Sequence, residues 1–304
     1  MRQRIYTSDH QGEIEGHEAM TNQQMSTGDR SYCFDRGPTG ALLLHGLGGT
    51  PVEMRTVALA LARAGITVSC PQLAAHNGSF EELKASSWHD WYVSAEIALD
   101  DVRRRCNTVL VGGLSMGAVL ALMLAARRKA DVQGCALYAP TLRLDGWGVP
   151  WYARLFALVQ DKWSANRFDF AEREPYGIKD PRVRALVSAA IESGDSAKAG
   201  MFKVPGGSML ELRRLVSALR RHAHEVTQPV LLVHPREDDR ADLANSFWLQ
   251  RHLGGRVDTV VLDDSYHVVT MDRQRDIVAD RTVALAQSLA AASAQQPASV
   301  RKRA

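Results

Sequence analysis

The sequence predicts an α/β fold: a mostly parallel sheet with helices on both faces. Three observations carry this expectation. Short, continuous apolar runs recur along the chain, as strands buried on both faces do. Helical periodicities separate them. The 304 residues, 45% hydrophobic and 23% charged, have ordinary globular composition and suit one large domain with an insertion, or two small ones. A core of that size needs no disulfide or metal.

The elements follow in order. Ala41-Leu42-Leu43-Leu44-His45 is the first strong strand. Pro51 then starts a helix with Met54, Val57, Ala58 and Leu61 on one face. Ile66 to Cys70 is the next strand. Trp88, Trp91, Tyr92, Ala95, Leu99 and Val102 recur at helical spacing, a packing stripe. Strands follow at Thr108–Val111, Gly134–Tyr138, Pro229–Val233 and Val257–Leu262.

From about Pro140 to Val226 no strand is evident, and the stretch reads as several short helices. Its Trp147, Trp151, Tyr152, Phe156, Trp163, Phe168, Phe170, Met201 and Met209 suit a lid over an apolar pocket. An irregular helical layer of the core is the alternative. The expected organisation is a core of residues 31–140 and 227–290 and a helical lid of 141–226. Residues 1–30 form a disordered extension in this scheme, and 291–304 a flexible basic tail.

Composition excludes several classes. A net charge of +3 does not call for a nucleic-acid partner. No stretch approaches the length of a membrane span, and the N-terminus lacks an apolar signal core. Cys33, Cys70, Cys106 and Cys135 are scattered, which predicts free thiols and a reducing, cytoplasmic setting. His222-Ala223-His224 ends a basic helical stretch without a third ligand nearby, so no metal or cofactor is expected.

The chemistry centres on Gly113-Leu114-Ser115-Met116-Gly117. A serine between glycines, where a strand gives way to a helix, is the layout of a nucleophile elbow. Alone, the pentapeptide is as well a glycine-rich turn whose serine caps the next helix. Three segments favour the first reading. In His45-Gly46-Leu47-Gly48-Gly49, the Leu47 amide can pair with the Met116 amide as an oxyanion hole. His45 itself suits a structural hydrogen bond to that loop. After Leu231-Leu232-Val233-His234, an acidic turn offers Glu237, Asp238 and Asp239, and Asp238 is the chosen orienting acid. Past the last strand, His267 is the candidate general base. Ser115, Asp238 and His267 follow the chain order that a nucleophile elbow of this kind uses.

The segments from Leu42 to Pro51, Ser87-Trp88-His89-Asp90-Trp91, Gly113 to Gly117 and His267-Val268-Val269-Thr270-Met271-Asp272 resemble those of the α/β-hydrolase family. Within it, the chain is most similar to small bacterial carboxylesterases related to monoacylglycerol lipases, from about Tyr32 to Ala290. In that family the acid ends a G-x-x-D turn, which falls on Pro235-Arg236-Glu237-Asp238 and supports Asp238 over Asp239. The resemblance implies a serine carboxylesterase that works through an acyl-enzyme on small hydrophobic esters. The serine rules against the epoxide hydrolase and dehalogenase chemistry of this fold. Leu47, Trp147, Trp151, Phe156, Met201 and Tyr266 are the candidate substrate contacts. The chain departs from the family at Ala75-His76-Asn77, where Gly-His-Gly is common, and at Pro235 and Tyr266, where glycine is usual. These departures predict a reshaped pocket rim.

Two other functions stay open from the sequence. An acyl thioesterase or acyltransferase would use the same triad. Arg127-Arg128-Lys129 and Arg213-Arg214 would then meet an acidic acyl carrier, although both clusters also suit solvated helix faces. A non-catalytic binding module on the same fold is the second.

Overall fold

The computed structural model describes residues 29–76, 79–192 and 203–295. The expectations for residues 1–28 and 296–304, and for Asn77 and Met201, lie outside the described residues. Nine strands are described: β1 (Tyr32–Phe34), β2 (Thr39–Leu44), β3 (Thr67–Cys70), β4 (Thr108–Leu114), β5 (Gly134–Tyr138), β6 (Asp169–Ala171), β7 (Lys203–Pro205), β8 (Val230–Pro235) and β9 (Val257–Leu262). Seven form one sheet in the order β1-β3-β2-β4-β5-β8-β9. All neighbours in it run parallel except β1, which pairs antiparallel with β3. The expected α/β architecture is therefore present. The sequence reading missed β1, because three residues carry too little periodicity to read.

The first four α-helices are α1 (Arg55–Arg63), α2 (Phe80–Ala85), α3 (Trp88–Arg105) and α4 (Met116–Arg127). Alternation along the strands divides the core in two. Leu42, Leu44, Val109, Val111, Leu137 and Leu232 face one side. There they meet α3 and α4, through residues such as Trp91, Leu99 and Val119. Ala41, Leu43, Leu110, Tyr138 and Val233 face the other side. They pack on α1 and on the C-terminal helix (Arg275–Gln295) through Val57, Leu61, Val278 and Ala286. Every residue of α4 from Met116 to Ala126 is buried, so this helix is apolar all round and forms the centre of its layer. The aromatic stripe of α3 is core packing, as its spacing implies.

The stretch between β5 and β8 differs from its reading. It contains a 3-10 helix (Trp151–Leu158), α5 (Lys162–Ala165) and α6 (Pro181–Glu192), but also strands β6 and β7, which pair antiparallel. Each strand is only three residues long, too short to show alternation. The last α-helix of the stretch, Gly206–His222, buries Leu212, Leu215 and Leu219 in the same cluster as α4. Its inner face thus belongs to the core. Arg213 joins it to the outer part by donating to the carbonyls of Phe156, Ala157 and Val159 at 2.8–3.1 Å. These bonds add a side-chain donor to the carbonyls at the end of the 3-10 helix, where the Phe156 carbonyl also accepts Val159 N–H.

Candidate active site

β4 ends at Leu114 and α4 begins at Met116, leaving Ser115 alone at the junction. Its φ of 55° and ψ of −112° put a non-glycine residue in a region that costs about 1–3 kcal/mol. The flanking glycines make this turn possible. A Cβ on Gly113 would lie 2.3 Å from the Gly117 carbonyl carbon, and one on Gly117 would lie 2.2 Å from Leu44 O. Both would collide with backbone, which cannot move aside. Ser115 N–H donates to Tyr138 O at 2.9 Å. Ser115 Oγ lies 3.0 Å from Thr141 Oγ1. Thr141 itself donates to Ala139 O, so the serine hydroxyl is the donor between the two.

The three competing acids occupy three environments. Asp238 is buried, and its two oxygens lie 3.0 and 2.9 Å from His267 Nδ1. The Arg240 and Ala241 amides donate to the same carboxylate at 2.8 and 2.9 Å. Burial opposes its ionisation, but His267, His234 and the Ala241 amide together hold its pKa below the ordinary carboxylate value. Asp239 instead accepts the backbone N–H groups of Gly177 and His267 at 3.1 and 3.3 Å, bracing the loop of the histidine. Glu237 lies at the surface with Lys179 Nζ 2.8 Å away.

His267 and Ser115 line one cavity of about 1160 Å³, larger than most small-molecule pockets. Among the described residues no hydrogen bond joins Ser115 Oγ to His267; the serine hydroxyl is engaged by Thr141. Leu47 and Phe156 also border the cavity, with Leu142, Tyr152, Phe170 and Met209. Phe156 meets Phe168 and Phe170 edge to face at 5.8 and 5.0 Å. Charged residues interrupt this wall at several points, among them Glu53, Glu172 and Arg240. Arg240 binds both oxygens of Glu172, one at 2.8 Å. Burial opposes both charges, yet the pairing keeps Glu172 ionised below its ordinary pKa and raises that of Arg240.

Trp147, Trp151 and Tyr266, named above as candidate substrate contacts, are not among the residues that line the cavity. Trp147 Nε1 donates to Glu237 O at 3.0 Å, and its ring meets that of Tyr266 at 5.4 Å. Gly146 and Gly148 pack so closely on the backbone at Asp239 and Arg240 that the chain turns Trp147 outward. Trp151 is 75% exposed.

The loop after β2 carries the Leu47 amide, which has no acceptor among the described residues. Met116 opens α4, where a first-turn N–H lacks a helical acceptor. His45 supports the loop from behind. Its Nδ1–H donates to Gly46 O at 2.9 Å, and its Nε2 accepts Leu73 N–H at 3.1 Å. Burial, with His76 beside it, lowers its pKa to about 3, so it stays neutral. Ala75 adopts φ 62°, so the backbone keeps the left-handed conformation although the usual glycine is absent.

Several supporting residues escaped the sequence reading. His234 lies fully buried in β8. Its Nε2 is 2.8 Å from Ala241 O and 3.3 Å from Asp238 Oδ2, and its Nδ1 is 2.7 Å from Ser246 Oγ. A carbonyl only accepts, so Nε2 carries the proton and Ser246 donates to Nδ1. Burial lowers the pKa of His234, which fits this neutral tautomer. Asp272 accepts four backbone amides, those of Lys179, Asp180, Tyr266 and Arg273, at 2.7–2.9 Å. A histidine within an apolar strand was the only available signal for the first; the second had none beyond the motif that contains it.

Residues 40–274 match the family described as Hydrolase_4, serine aminopeptidase S33. The thermostable monoacylglycerol lipase of Bacillus sp. (strain H-257) is 28% identical over 258 residues, spanning 84% of this chain and 94% of the relative. The carboxylesterase of Bacillus subtilis (strain 168) is 23% identical over 256 residues, 82% and 92% of the two chains. A structure solved for the metagenome-derived lipolytic enzymes LipS and LipT has a TM-score of 0.74 at 24% identity, covering 87% of this chain and all of the other. The monoacylglycerol lipase of Paleococcus ferrophilus gives 0.70 at 15% identity, covering 86% and 99%. With its sheet order, its serine at a strained strand–helix turn and a family match over most of its length, the chain belongs to the Hydrolase_4 family of α/β-hydrolases.

Proposed function

We propose that the protein hydrolyses carboxylic esters of hydrophobic acyl groups, with Ser115 as nucleophile, His267 as general base and Asp238 as orienting acid. One observation carries this reading: the Asp238 carboxylate grips His267 Nδ1 in the cavity that Ser115 faces. That grip leaves Nε2 free to accept the serine proton. Ser115 Oγ attacks the ester carbonyl, and its proton passes to His267. The Leu47 and Met116 amides receive the charge that develops on the carbonyl oxygen. His267 then protonates the leaving alkoxide, and a water molecule activated by His267 releases the acid from Ser115.

The apolar part of the wall suits an acyl chain, with Leu47 and Phe156 as contacts and the stretch 141–226 as lid. The relatives named monoacylglycerol lipase favour a monoacylglycerol among such esters. An acyl-carrier partner finds less support, because both basic clusters are engaged within the chain. Arg128 pairs with Glu96, Asp100 and Asp131, Lys129 with Glu225, and Arg214 with Glu211. No helix among the described residues is long and apolar enough to cross a membrane. The buried free thiols of Cys70, Cys106 and Cys135 suit the cytoplasm.

The test is a panel of oxoesters, thioesters and an aminoacyl anilide with graded acyl length, run beside S115A. Preferred turnover of oxoesters that vanishes in S115A supports the reading. Preferred cleavage of the anilide or of a carrier thioester would replace it.

A further inference from the structure

Glu53 is a carboxyl group in the wall of the cavity that the steps above leave unused. It lies in the 3-10 turn Pro51–Met54, directly after the loop that carries Leu47. Its Oε2 accepts Gly46 N–H at 2.9 Å. A Cβ on Gly49 would stand 2.2 Å from Oε1, so the loop closes tightly over the carboxyl. A Cβ on Gly46 would stand 3.5 Å from Oε2 and 3.7 Å from Ser115 Cβ, which puts the carboxyl on the nucleophile's side of the loop.

Three charged or titratable groups face Glu53: Glu172 from beyond β6, Arg240 from the turn after β8, and His267 from beyond β9. Arg240 is engaged by Glu172 and lies 3.9 Å from Asp239, and His267 by Asp238. Among the described residues no cation pairs with Glu53. Burial raises its pKa to about 7; the Gly46 amide opposes this, Glu172 adds to it, and His267 and Arg240 subtract.

We propose that Glu53 is the positioning residue of the oxyanion loop and that it serves as the neutral acid. By holding Gly46 N–H, it turns the following amide, Leu47 N–H, toward the reacting carbonyl. Its ionised form still holds the loop but sets a negative charge beside the oxyanion that forms there, and an enclosed cavity screens that repulsion weakly. Ionisation of Glu53 therefore slows acyl transfer. An acyl chain that fills the cavity removes water from the carboxyl and favours its neutral form further. The alkaline limb of kcat then lies at higher pH than that of kcat/KM. The inference rests on Ser115 being the nucleophile.

The experiment measures kcat and KM from pH 5.5 to 9.5 on a long-chain aryl ester, for the wild type, E53A, E53Q and S115A. Loss of one oxyanion donor costs about 10²–10³ in kcat, so misplacing it in E53A is expected to cost about 10- to 100-fold, with KM nearly unchanged. The side-chain amide of E53Q still offers an oxygen to Gly46 N–H, so this variant recovers most of the lost kcat. It also lacks the alkaline decline, and at pH 9 it exceeds the wild type by about 3- to 10-fold. An E53Q profile that overlays the wild type, or an E53A variant with undiminished kcat, overturns the proposal. Equal rates in S115A and the wild type would instead remove the nucleophile on which it stands. Fluorophosphonate labelling of Ser115 in E53A distinguishes the two failures, because a slowed but complete reaction locates the defect in the loop.

Discussion

The C-terminal edge of the sheet and the stretch from Thr141 to Glu192 border the same cavity but are built differently. At the sheet edge the functional groups are buried and bonded several times over. Asp238 has two backbone donors and two histidines, His267 is braced through its amide as well as its ring, and His45 is locked in one tautomer. In the outer stretch, Trp151, Leu155, Leu158, Trp163 and Leu186 expose much of their apolar surface. Its strand β6 is three residues long, and its 3-10 helix is held through side-chain bonds from Arg213. Transition-state stabilisation requires donors and acids fixed in advance. A cavity that receives a flexible acyl chain gains from a wall that can yield.

This contrast is broken most directly at its rigid side. S115A is expected to lower kcat/KM by about 10⁶ and to abolish fluorophosphonate labelling. If most activity survived, the rigid edge would not be the site of chemistry. D238N keeps the shape of the acid but favours the wrong tautomer of His267, and a loss of about 10⁴ in kcat is expected. Measuring KM alongside checks that binding is spared.

His234 sharpens the comparison, since it touches no substrate and acts through the turn that carries Asp238. H234L removes the donor to Ala241 O and leaves that carbonyl and Ser246 without their partner. Misplacement by about 1 Å can cost about 10²-fold, and a fall in kcat of about 10- to 100-fold is expected. H234Q, which can present an amide N–H at a similar reach, should recover part of it. Equal melting temperatures with unequal pH profiles would separate positioning from general destabilisation.

The outer stretch should respond more weakly and selectively. Fully burying a Phe side chain is worth about 1.5–3 kcal/mol and Phe156 is half-buried at the cavity wall, so F156A should lose about tenfold on long-chain esters that cover it and little on acetate esters. W151A lies at the surface and should stay within about twofold on both, as isolated surface substitutions usually do. A uniform loss across chain lengths in F156A would show that the wall supports the chemistry and not the acyl chain.

Glu53 also couples to stability. Its folded pKa is raised from its ordinary 4.5 to about 7, so the folded protein holds this proton more tightly than the unfolded chain. The group therefore adds no cost below pH 4.5, and an increasing one as pH rises toward 7. E53Q should raise the melting temperature at pH 8 and leave it unchanged at pH 4.

Much of this was legible in the chain itself. β5 begins and ends where its apolar run does, because a strand buried on both faces writes its own boundaries; β9, at the sheet edge and only partly buried, also keeps the bounds of its run. Gly113 and Gly117 could be read as necessary because only a residue without Cβ permits so tight a turn. The region after Pro140 was read less well. Its strands β6 and β7 are too short for alternation, and apolar content does not say which way a ring points. Trp147 and Phe156 look alike in sequence; one packs on Tyr266 outside the acid turn, the other borders the cavity.

The sequence by itself determined the class of fold, the order of serine, acid and histidine, and the glycines that admit the serine turn. These follow from local rules: periodicity, backbone freedom, and residue types placed just past strand ends. Only the tertiary structure showed that Glu237 and Asp239 bond elsewhere while Asp238 meets the His267 ring, that His234 stands behind the acid, and that Glu53 reaches back to the loop after β2. The first of these joins residues 29 apart in the chain and depends on where parallel strands end side by side; the other two join residues four and seven apart and depend on how the turns after β8 and β2 fold back. Hydrogen-bond partners across such an edge are set by three-dimensional register, which no run of neighbouring residues encodes.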